Sequence, residues 1–351
     1  MKEKERLEIP DIVKGLAVVL MVQVHLTELF VREDIYKSAF GIVSLFWGGI
    51  PAAPVFMVMM GYFLAFGKKS SSDMAKRGIR LFIGGIVLNI GLNAHLLYNI
   101  MFKGWEINPW HYIFGVDILT LAGLSLISFA LVKTVMKNEY WQYLILALVI
   151  AAISNLFTPT QFEAHPTNYV LAFLVGGTSW AYFPLIPWLA YPLLGYGFKL
   201  LTDKIPLYTL IQSIWIKIMF GVIAVILIYS LQFGIDMSTN LSDYYHHDLL
   251  FFLWSTGFII LWIYTFSYLK NISSNTSFWV FFKFLGKNVT TFYVLQWLII
   301  GNLGTVLFQT QDITDWVFWF FIISIVATVL TYLWAKYPMK NTILKKKRIS
   351  A

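Results

Sequence analysis

Two residues capable of acid–base chemistry lie close together in the first apolar segment of the chain. His25 and Glu28 are three residues apart in IVKGLAVVLMVQVHLTELF, so they share one face if the segment is a helix. An imidazole oriented by a carboxylate can take a proton from a hydroxyl or an amine near neutral pH. The pair therefore predicts a general base, and a polar contact that only holds helices together is the alternative.

A basic cluster occurs at the start of a later apolar segment. Lys76, Arg77 and Arg80 belong to AKRGIRLF, and the two arginines share a helix face at a spacing of three. Guanidinium groups bind phosphate oxygens through paired hydrogen bonds. The cluster predicts an anion site, with the ordinary positive charge of a cytoplasmic loop as the alternative.

Further polar candidates lie near the ends of other apolar segments. Asp117, in YIFGVDILTLAGL, serves either a site or a hydrogen bond between helices. Tyr245, His246 and His247 belong to DYYHHDLLFF. Adjacent histidines on a helix point about 100° apart, so they do not readily bind one metal ion. We therefore interpret this segment as sugar-facing or interfacial, and we expect no metal.

Aromatic residues accompany the proline-rich segment FPLIPWLAYPLLGYG. Trp180, Tyr182 and Trp188 lie in or just before it. Such residues form either a stacking surface for a glycan or an aromatic belt at the membrane interface. Both interpretations stay open from the sequence alone.

The composition of the chain indicates which elements must position these residues. The 351 residues are 58% hydrophobic and only 13% charged, and the mean hydropathy is +0.70. Apolar runs of about 20 residues match the thickness of a bilayer, and they lack the alternation of membrane β-strands. The absence of cysteine excludes disulfides, thiolate metal sites and a cysteine nucleophile. The sequence predicts an all-α membrane bundle rather than a soluble enzyme.

About ten transmembrane helices are predicted within one domain that covers residues 1–351. Ten spans would place both termini on the same side of the membrane. The predicted spans lie near residues 12–31, 41–66, 80–99, 112–132, 140–158, 182–201, 211–232, 249–268, 288–307 and 316–336.

The distribution of positive charge supports this threading. With a cytoplasmic N-terminus, 23 of the 26 basic residues lie on the inner side, and only Arg32, Lys37 and Lys103 lie outside. The net charge of +8 then reflects a basic face beside anionic lipid rather than nucleic-acid binding. We expect an integral protein of the bacterial plasma membrane with both termini cytoplasmic.

The order of these motifs resembles the transmembrane acyltransferase superfamily, which includes the acyltransferase type 3 proteins and the heparan-alpha-glucosaminide N-acetyltransferase-like proteins. That family opens with an aspartate, then an arginine or lysine, a glycine and an apolar stretch that contains a histidine. Asp11, Lys14, Gly15 and His25 are similar to this pattern. Lys14 stands where arginine is commoner.

Other segments extend the resemblance from residue 7 to about residue 340. Arg77 and Arg80 match the family's Arg-x-x-Arg motif, and PVFMVMMGYFLAFG resembles the preceding span. The segment FPLIPWLAYPLLGYG is similar to the sixth span of the glucosaminide branch, and LGKNVTTFYVLQWLI resembles a late segment of both branches. The mixture leaves the branch, and hence the acceptor, open.

The resemblance implies an acyl-CoA-dependent O- or N-acyltransferase. Cytoplasmic acyl-CoA, with acetyl-CoA as the expected donor, would acylate a hydroxyl or an amine of an extracytoplasmic glycan. His25 would be the general base, Glu28 would hold its tautomer, and Asp117 would complete the catalytic group. The expected donor-binding residues are Lys14, Lys76, Arg77 and Arg80. The expected acceptor-binding residues are Trp180, Tyr182, Trp188, Tyr245, His246 and His247.

A second hypothesis is a proton-coupled transporter or flippase. In that case His25, Glu28 and Asp117 would form a proton relay. Inverted repeats with paired broken helices would favour it, and the sequence has no convincing pair. The acyl chain length, the identity of the acceptor and assembly into a homo-oligomer stay open.

Overall fold

The computed structural model describes residues 8–67, 69–157, 166–205, 213–273 and 276–349, with side chains described up to residue 337. This part of the chain is helical and contains no β-strand; one isolated bridge joins Val31 to Gln311. The predicted all-α class is therefore confirmed. In chain order the helices are α1 (Glu8–Leu29), α2 (Glu33–Tyr36), α3 (Ala39–Gly49), α4 (Ala53–Phe66), α5 (Ser71–Leu92), α6 (Ala94–Lys103), α7 (Pro109–Ile113), α8 (Ile118–Val135), α9 (Tyr140–Ile153), α10 (Pro166–Val175), α11 (Leu185–Trp188), α12 (Ala190–Lys204), α13 (Ile214–Tyr229), α14 (Leu231–Thr239), α15 (Leu241–Tyr245), α16 (Leu249–Ile272), α17 (Ser277–Lys287), α18 (Val289–Leu307) and α19 (Ile313–Ile349).

Each predicted span coincides with one of these helices or with a consecutive pair. Within the described ranges, six helical segments are long and apolar enough to cross a membrane: α1, α3 with α4, α8, α16, α18 and α19. Two bent pairs raise the number to eight, namely α5 with α6, bent by 57°, and α13 with α14, bent by 62°. The two other predicted spans fall on the shorter helices α9 and α12. Residues 158, 211 and 212 of the predicted spans lie outside the described residues, and the count of ten stays a prediction.

Glycines allow close contact between α4 and α12. A Cβ atom at Gly61 would lie 1.9 Å from the carbonyl oxygen of Pro192, and one at Gly195 would lie 1.9 Å from that of Val58. Small residues let the two backbones touch, which is how helices gain packing energy without a hydrophobic driving force in lipid. Any larger residue at either glycine would separate the helices.

Helix α1 lies at the centre of the bundle, in contact with α3, α4, α17, α18 and α19. Its contact with α17 also depends on glycine. A Cβ atom at Gly15 would lie 2.0 Å from the carbonyl oxygen of Phe282, and one at Gly286 would lie 1.7 Å from that of Asp11. The residues of α1 are therefore mostly enclosed by protein, and polar groups on it face the interior.

A buried polar network fixes the rotation of α1. The Gln23 amide donates to the Ser44 carbonyl oxygen at 2.9 Å, and the Ser44 hydroxyl donates to Gln23 Oε1 at 2.5 Å. The Thr27 hydroxyl lies 2.6 Å from that of Ser44 and accepts from Trp316 Nε1 at 3.0 Å. These bonds tie one face of α1 to α3 and α19. His25, two residues from Gln23 and about 200° further round the helix, lies on a different face of α1.

Candidate active site

An internal cavity of about 550 Å³ lies between α1, α3, α5, α8, α14, α18 and the loops that join them. His25, Glu28 and Asp117 all line it. The structure thus brings together the three predicted catalytic residues, although they come from two different parts of the sequence. Ionisable groups inside a helix bundle are costly unless they serve a site or a partner.

The His25 imidazole packs against the indole of Trp297. The two ring centroids are 3.9 Å apart and the planes are inclined by 32°. The Nδ1 atom of His25 is buried and makes no hydrogen bond in the described structure. Among the described residues no hydrogen bond or ion pair joins His25 to Glu28, so the predicted tautomer contact is not formed here. The ring orientation is set by the packing with Trp297.

Asp117 combines a local structural role with a place in the cavity wall. It is the N-cap of α8, where its Oδ1 accepts from the Ile118 backbone N–H at 2.6 Å. Its other carboxylate oxygen accepts from the Tyr293 hydroxyl at 2.5 Å. A carboxylate at an N-cap satisfies an unpaired N–H and interacts favourably with the helix dipole. Both interpretations of Asp117, helix contact and site residue, therefore have a physical basis.

Helix α18 supplies site residues that the sequence analysis did not single out. Tyr293 and Trp297 are four residues apart on one face, and both line the cavity. Gln296 lies beside His25. These three residues belong to LGKNVTTFYVLQWLI, the late segment that carries part of the family resemblance. The feature of the sequence that could have indicated these residues is Gln296, a polar side chain within an apolar span.

Glu28 lies near a group of tyrosines on the wall of the cavity. Tyr182 and Tyr245 line the cavity with it. Burial raises the pKa of Tyr245 above its ordinary value, and the nearby Glu28 carboxylate adds to that effect. Aromatic rings that carry a polar group, beside a carboxylate, are suited to hold the hydroxyl groups and the apolar faces of a sugar.

The comparison with protein families decides the class of the protein. Residues 7–335 match the acyltransferase 3 family, described as an acyltransferase domain. The chain belongs to the acyltransferase 3 family. The predicted superfamily is confirmed, and with its apolar helices this acyltransferase is an integral membrane protein. No curated protein and no solved structure matches the chain.

The acyltransferase carries its basic cluster outside the cavity lining. Lys76, Arg77 and Arg80 are exposed near the start of α5, where Arg80 Nε donates to the Lys76 carbonyl oxygen at 3.3 Å. Asn89 of the same helix lines the cavity. The nine residues between Arg80 and Asn89 correspond to about 14 Å along α5. One helix therefore connects the predicted donor site to the cavity.

Lys14, the fourth predicted donor-binding residue, lies in the protein interior. Its ammonium group is 3.0 Å from a carboxylate oxygen of Asp11 and 4.1 Å from the ring centroid of Phe63. Lys14 does not belong to the cavity lining. In this structure it connects α1 to α4.

Two of the predicted acceptor residues instead belong to the core of the acyltransferase. Trp188 is fully buried, and its Nε1 donates to the Tyr245 carbonyl oxygen at 2.8 Å. His247 is buried as well; its Nδ1 lies 2.8 Å from the Tyr244 carbonyl oxygen and its Nε2 lies 3.1 Å from the Tyr191 hydroxyl. Burial lowers the pKa of His247 to about 4, against the opposing effect of the Tyr244 carbonyl. Both side chains support the C-terminal end of α15, where Tyr245 lies.

Trp180 and His246 also lie outside the cavity lining. The Trp180 indole stacks on the imidazole of His111, with centroids 4.1 Å apart and planes inclined by 12°, and His111 lines the cavity. His246 packs against Gly176, where an added Cβ atom would lie 2.4 Å from its ring. Trp180 therefore supports one wall from behind. Tyr182 and Tyr245 are the predicted acceptor residues that reach the cavity.

The described residues contain no group of three or more histidine, aspartate or glutamate side chains that could hold a metal ion. The titratable groups that line the cavity of this acyltransferase are imidazoles, carboxylates and phenols.

Proposed function

We propose that this acyltransferase moves an acyl group, acetyl in the simplest case, from cytoplasmic acyl-CoA to a hydroxyl or an amine of an extracytoplasmic glycan. His25 acts as the general base. The observation that carries the proposal is the convergence of His25, Glu28 and Asp117 on one cavity with aromatic walls. This cavity is large enough for a sugar unit together with the end of an acyl thioester.

The transfer requires one base and one closely held pair of substrates. The acceptor hydroxyl or amine gives its proton to His25 while its oxygen or nitrogen attacks the thioester carbonyl. The new C–O or C–N bond forms, the C–S bond breaks, and the proton on His25 passes to the CoA thiolate. Direct transfer needs no acyl-enzyme, and holding both substrates in one cavity supplies much of the rate.

The donor is proposed to bind at the exposed end of α5. Lys76, Arg77 and Arg80 offer charge-assisted hydrogen bonds to the phosphates of CoA. The pantetheine arm would then follow α5 toward Asn89 and the cavity. This arrangement keeps the anionic part of the donor away from Glu28 and Asp117.

The acceptor is proposed to enter from the side of the bundle that carries Tyr182 and Tyr245. With ten spans and both termini cytoplasmic, that side faces outward, as a cell-envelope polysaccharide requires. Glu28 faces the same cavity and is available to bind an acceptor hydroxyl.

A transfer assay in reconstituted vesicles tests the proposal. The full-length protein is placed in liposomes with [14C]acetyl-CoA and a cell-envelope polysaccharide fraction, and label in the polysaccharide is counted. We expect transfer by the wild type and transfer slower by about 10²- to 10⁴-fold by His25→Ala. Proton flux through the wild type without acyl transfer would instead support the transporter hypothesis.

A further inference from the structure

The amide of Gln296 on α18 makes no visible contribution to the stability of the fold. Its side chain is 0% exposed, yet neither Oε1 nor Nε2 makes a hydrogen bond in the described structure. A buried amide without partners is destabilising, whereas an apolar side chain of similar shape would not be. Such a group calls for a functional reason.

His25, like Gln296, has a buried polar atom without a hydrogen-bond partner. Its Nδ1 is buried and also makes no hydrogen bond, and Gln296 lies beside it. The next residue of α18, Trp297, packs on the imidazole at 3.9 Å between centroids. Helix α18 therefore brings an indole to one side of the ring and an amide close to its edge.

We propose that Gln296 is the positioning residue of His25. After a small rotation of the amide, its Oε1 would accept a hydrogen bond from Nδ1–H of the imidazole and hold the tautomer in which Nε2 is free to act as the base. The proposal deepens the proposed function and rests on it for the role of His25. The tautomer-holding role predicted for Glu28 passes to a neutral amide, and Glu28 stays available to the acceptor.

The amide has a second effect during transfer. When Nε2 takes the proton of the acceptor, the Nδ1–H bond to Gln296 persists and the amide dipole stabilises the imidazolium. A substitution at Gln296 keeps the other ionisable side chains that line the cavity near His25, namely Glu28, His111, Asp117 and Tyr293.

The tautomer of His25 can be measured without any substrate. The full-length protein is labelled with [15N]histidine, and the His25 signals are assigned by their loss in His25→Ala. In the wild type we expect the Nδ1–H tautomer to dominate.

Gln296→Met keeps a side chain of similar length but removes the hydrogen-bond acceptor. In this variant we expect the ratio of the Nδ1–H tautomer to the Nε2–H tautomer to fall about fivefold, as for the loss of one net hydrogen bond. Gln142→Met, a half-buried glutamine of α9 with an unpaired Oε1, is the matched control and should leave the signals unchanged.

Kinetics and stability separate positioning from a structural role. We expect Gln296→Met to lower kcat about tenfold with little change in KM. The variant should unfold at no lower temperature than the wild type. Gln296→Glu, which restores an acceptor, should recover part of the lost kcat. Gln296→Leu repeats the measurement if the methionine variant does not fold. An unchanged tautomer ratio in a folded variant overturns the proposal. Transfer that survives His25→Ala would defeat the proposed function, but the tautomer result would still stand.

Discussion

The indole of Trp297 lies on the imidazole of His25, with ring centroids 3.9 Å apart. The contact joins α18 to α1 and restricts the ring orientation of the proposed base. In this structure His25 makes no hydrogen bond at Nδ1, so the packing with Trp297 acts on the ring beside the proposed contact with Gln296. A base held to within a few tenths of an ångström is what efficient proton transfer requires.

Removing the indole should therefore impair turnover more than folding. We expect Trp297→Leu to lower kcat by about 10- to 100-fold, since small misplacements of a catalytic group are costly. Trp297→Phe, which keeps an aromatic face, should lose less. Trp215→Leu on α13, a tryptophan that is 75% exposed, is the matched control. Equal effects of the substitutions at positions 215 and 297 would show that the contact with His25 has no catalytic value.

The two roles of Asp117 can be separated by substitution. Asp117→Asn keeps an effective N-cap and an oxygen that can accept from Tyr293 but removes the charge. Asp117→Ala also removes the cap, which contributes about 1 kcal/mol, and the acceptor of the Tyr293 hydroxyl. We expect both variants to lose activity and only the alanine variant to lose the additional stability. Thermal unfolding and transfer rates, measured on the same samples, decide this. Full activity in the folded asparagine variant would reduce Asp117 to a helix cap.

Tyr293→Phe tests the other partner of that carboxylate. The substitution deletes the hydroxyl that donates to Asp117 at 2.5 Å and keeps the ring. A hydrogen bond to a charged group contributes about 1.5 to 3 kcal/mol, so we expect a measurable fall in unfolding temperature and a lower transfer rate. A stability and a rate equal to those of the wild type would mean that this bond matters neither for the fold nor for the cavity.

The exposed arginines of α5 should govern affinity for the donor. Arg77→Ala combined with Arg80→Ala should raise KM for acyl-CoA by at least about tenfold, because each arginine offers a charge-assisted phosphate contact. Lysine at both positions should restore part of the affinity. The double substitution Lys133→Ala and Lys137→Ala, in another predicted cytoplasmic segment, controls for loss of surface charge. If both double variants bind acyl-CoA alike, the arginines serve topology only.

The absence of cysteine makes the predicted topology directly testable. Lys103→Cys should react with a membrane-impermeant maleimide on intact cells, because it is predicted to lie outside. Lys345→Cys should react only after permeabilisation. Labelling of both positions from outside would contradict a pair of cytoplasmic termini.

The sequence identified the residues of α1 because charge is rare and costly in an apolar segment. His25 and Glu28 stood out for that reason, and Arg77 and Arg80 did so by their spacing. The same reasoning predicted the helical class and located helices under every proposed span. Each of these signals is local, because a short stretch of sequence is enough to show it.

The contribution of α18 could not be predicted in the same way. Tyr293 and Trp297 are ordinary residues of membrane helices, and their partners Asp117 and His25 lie far away in the chain, Asp117 by 176 positions. Which face of α18 turns inward depends on packing rather than on composition. The prediction that Trp188 belongs to a sugar-binding surface fails for a similar reason. Trp188 is fully buried, and an aromatic residue fits a buried core as well as a sugar-binding surface.

The most direct test of the account is acyl transfer by purified His25→Ala. The comparison uses wild-type and variant protein of equal folded fraction, with labelled acetyl-CoA binding and label transfer measured in parallel. Our expectation is normal binding of acetyl-CoA and a transfer rate lower by about 10²- to 10⁴-fold, the value of a positioned base. Normal binding with transfer at the wild-type rate would contradict it.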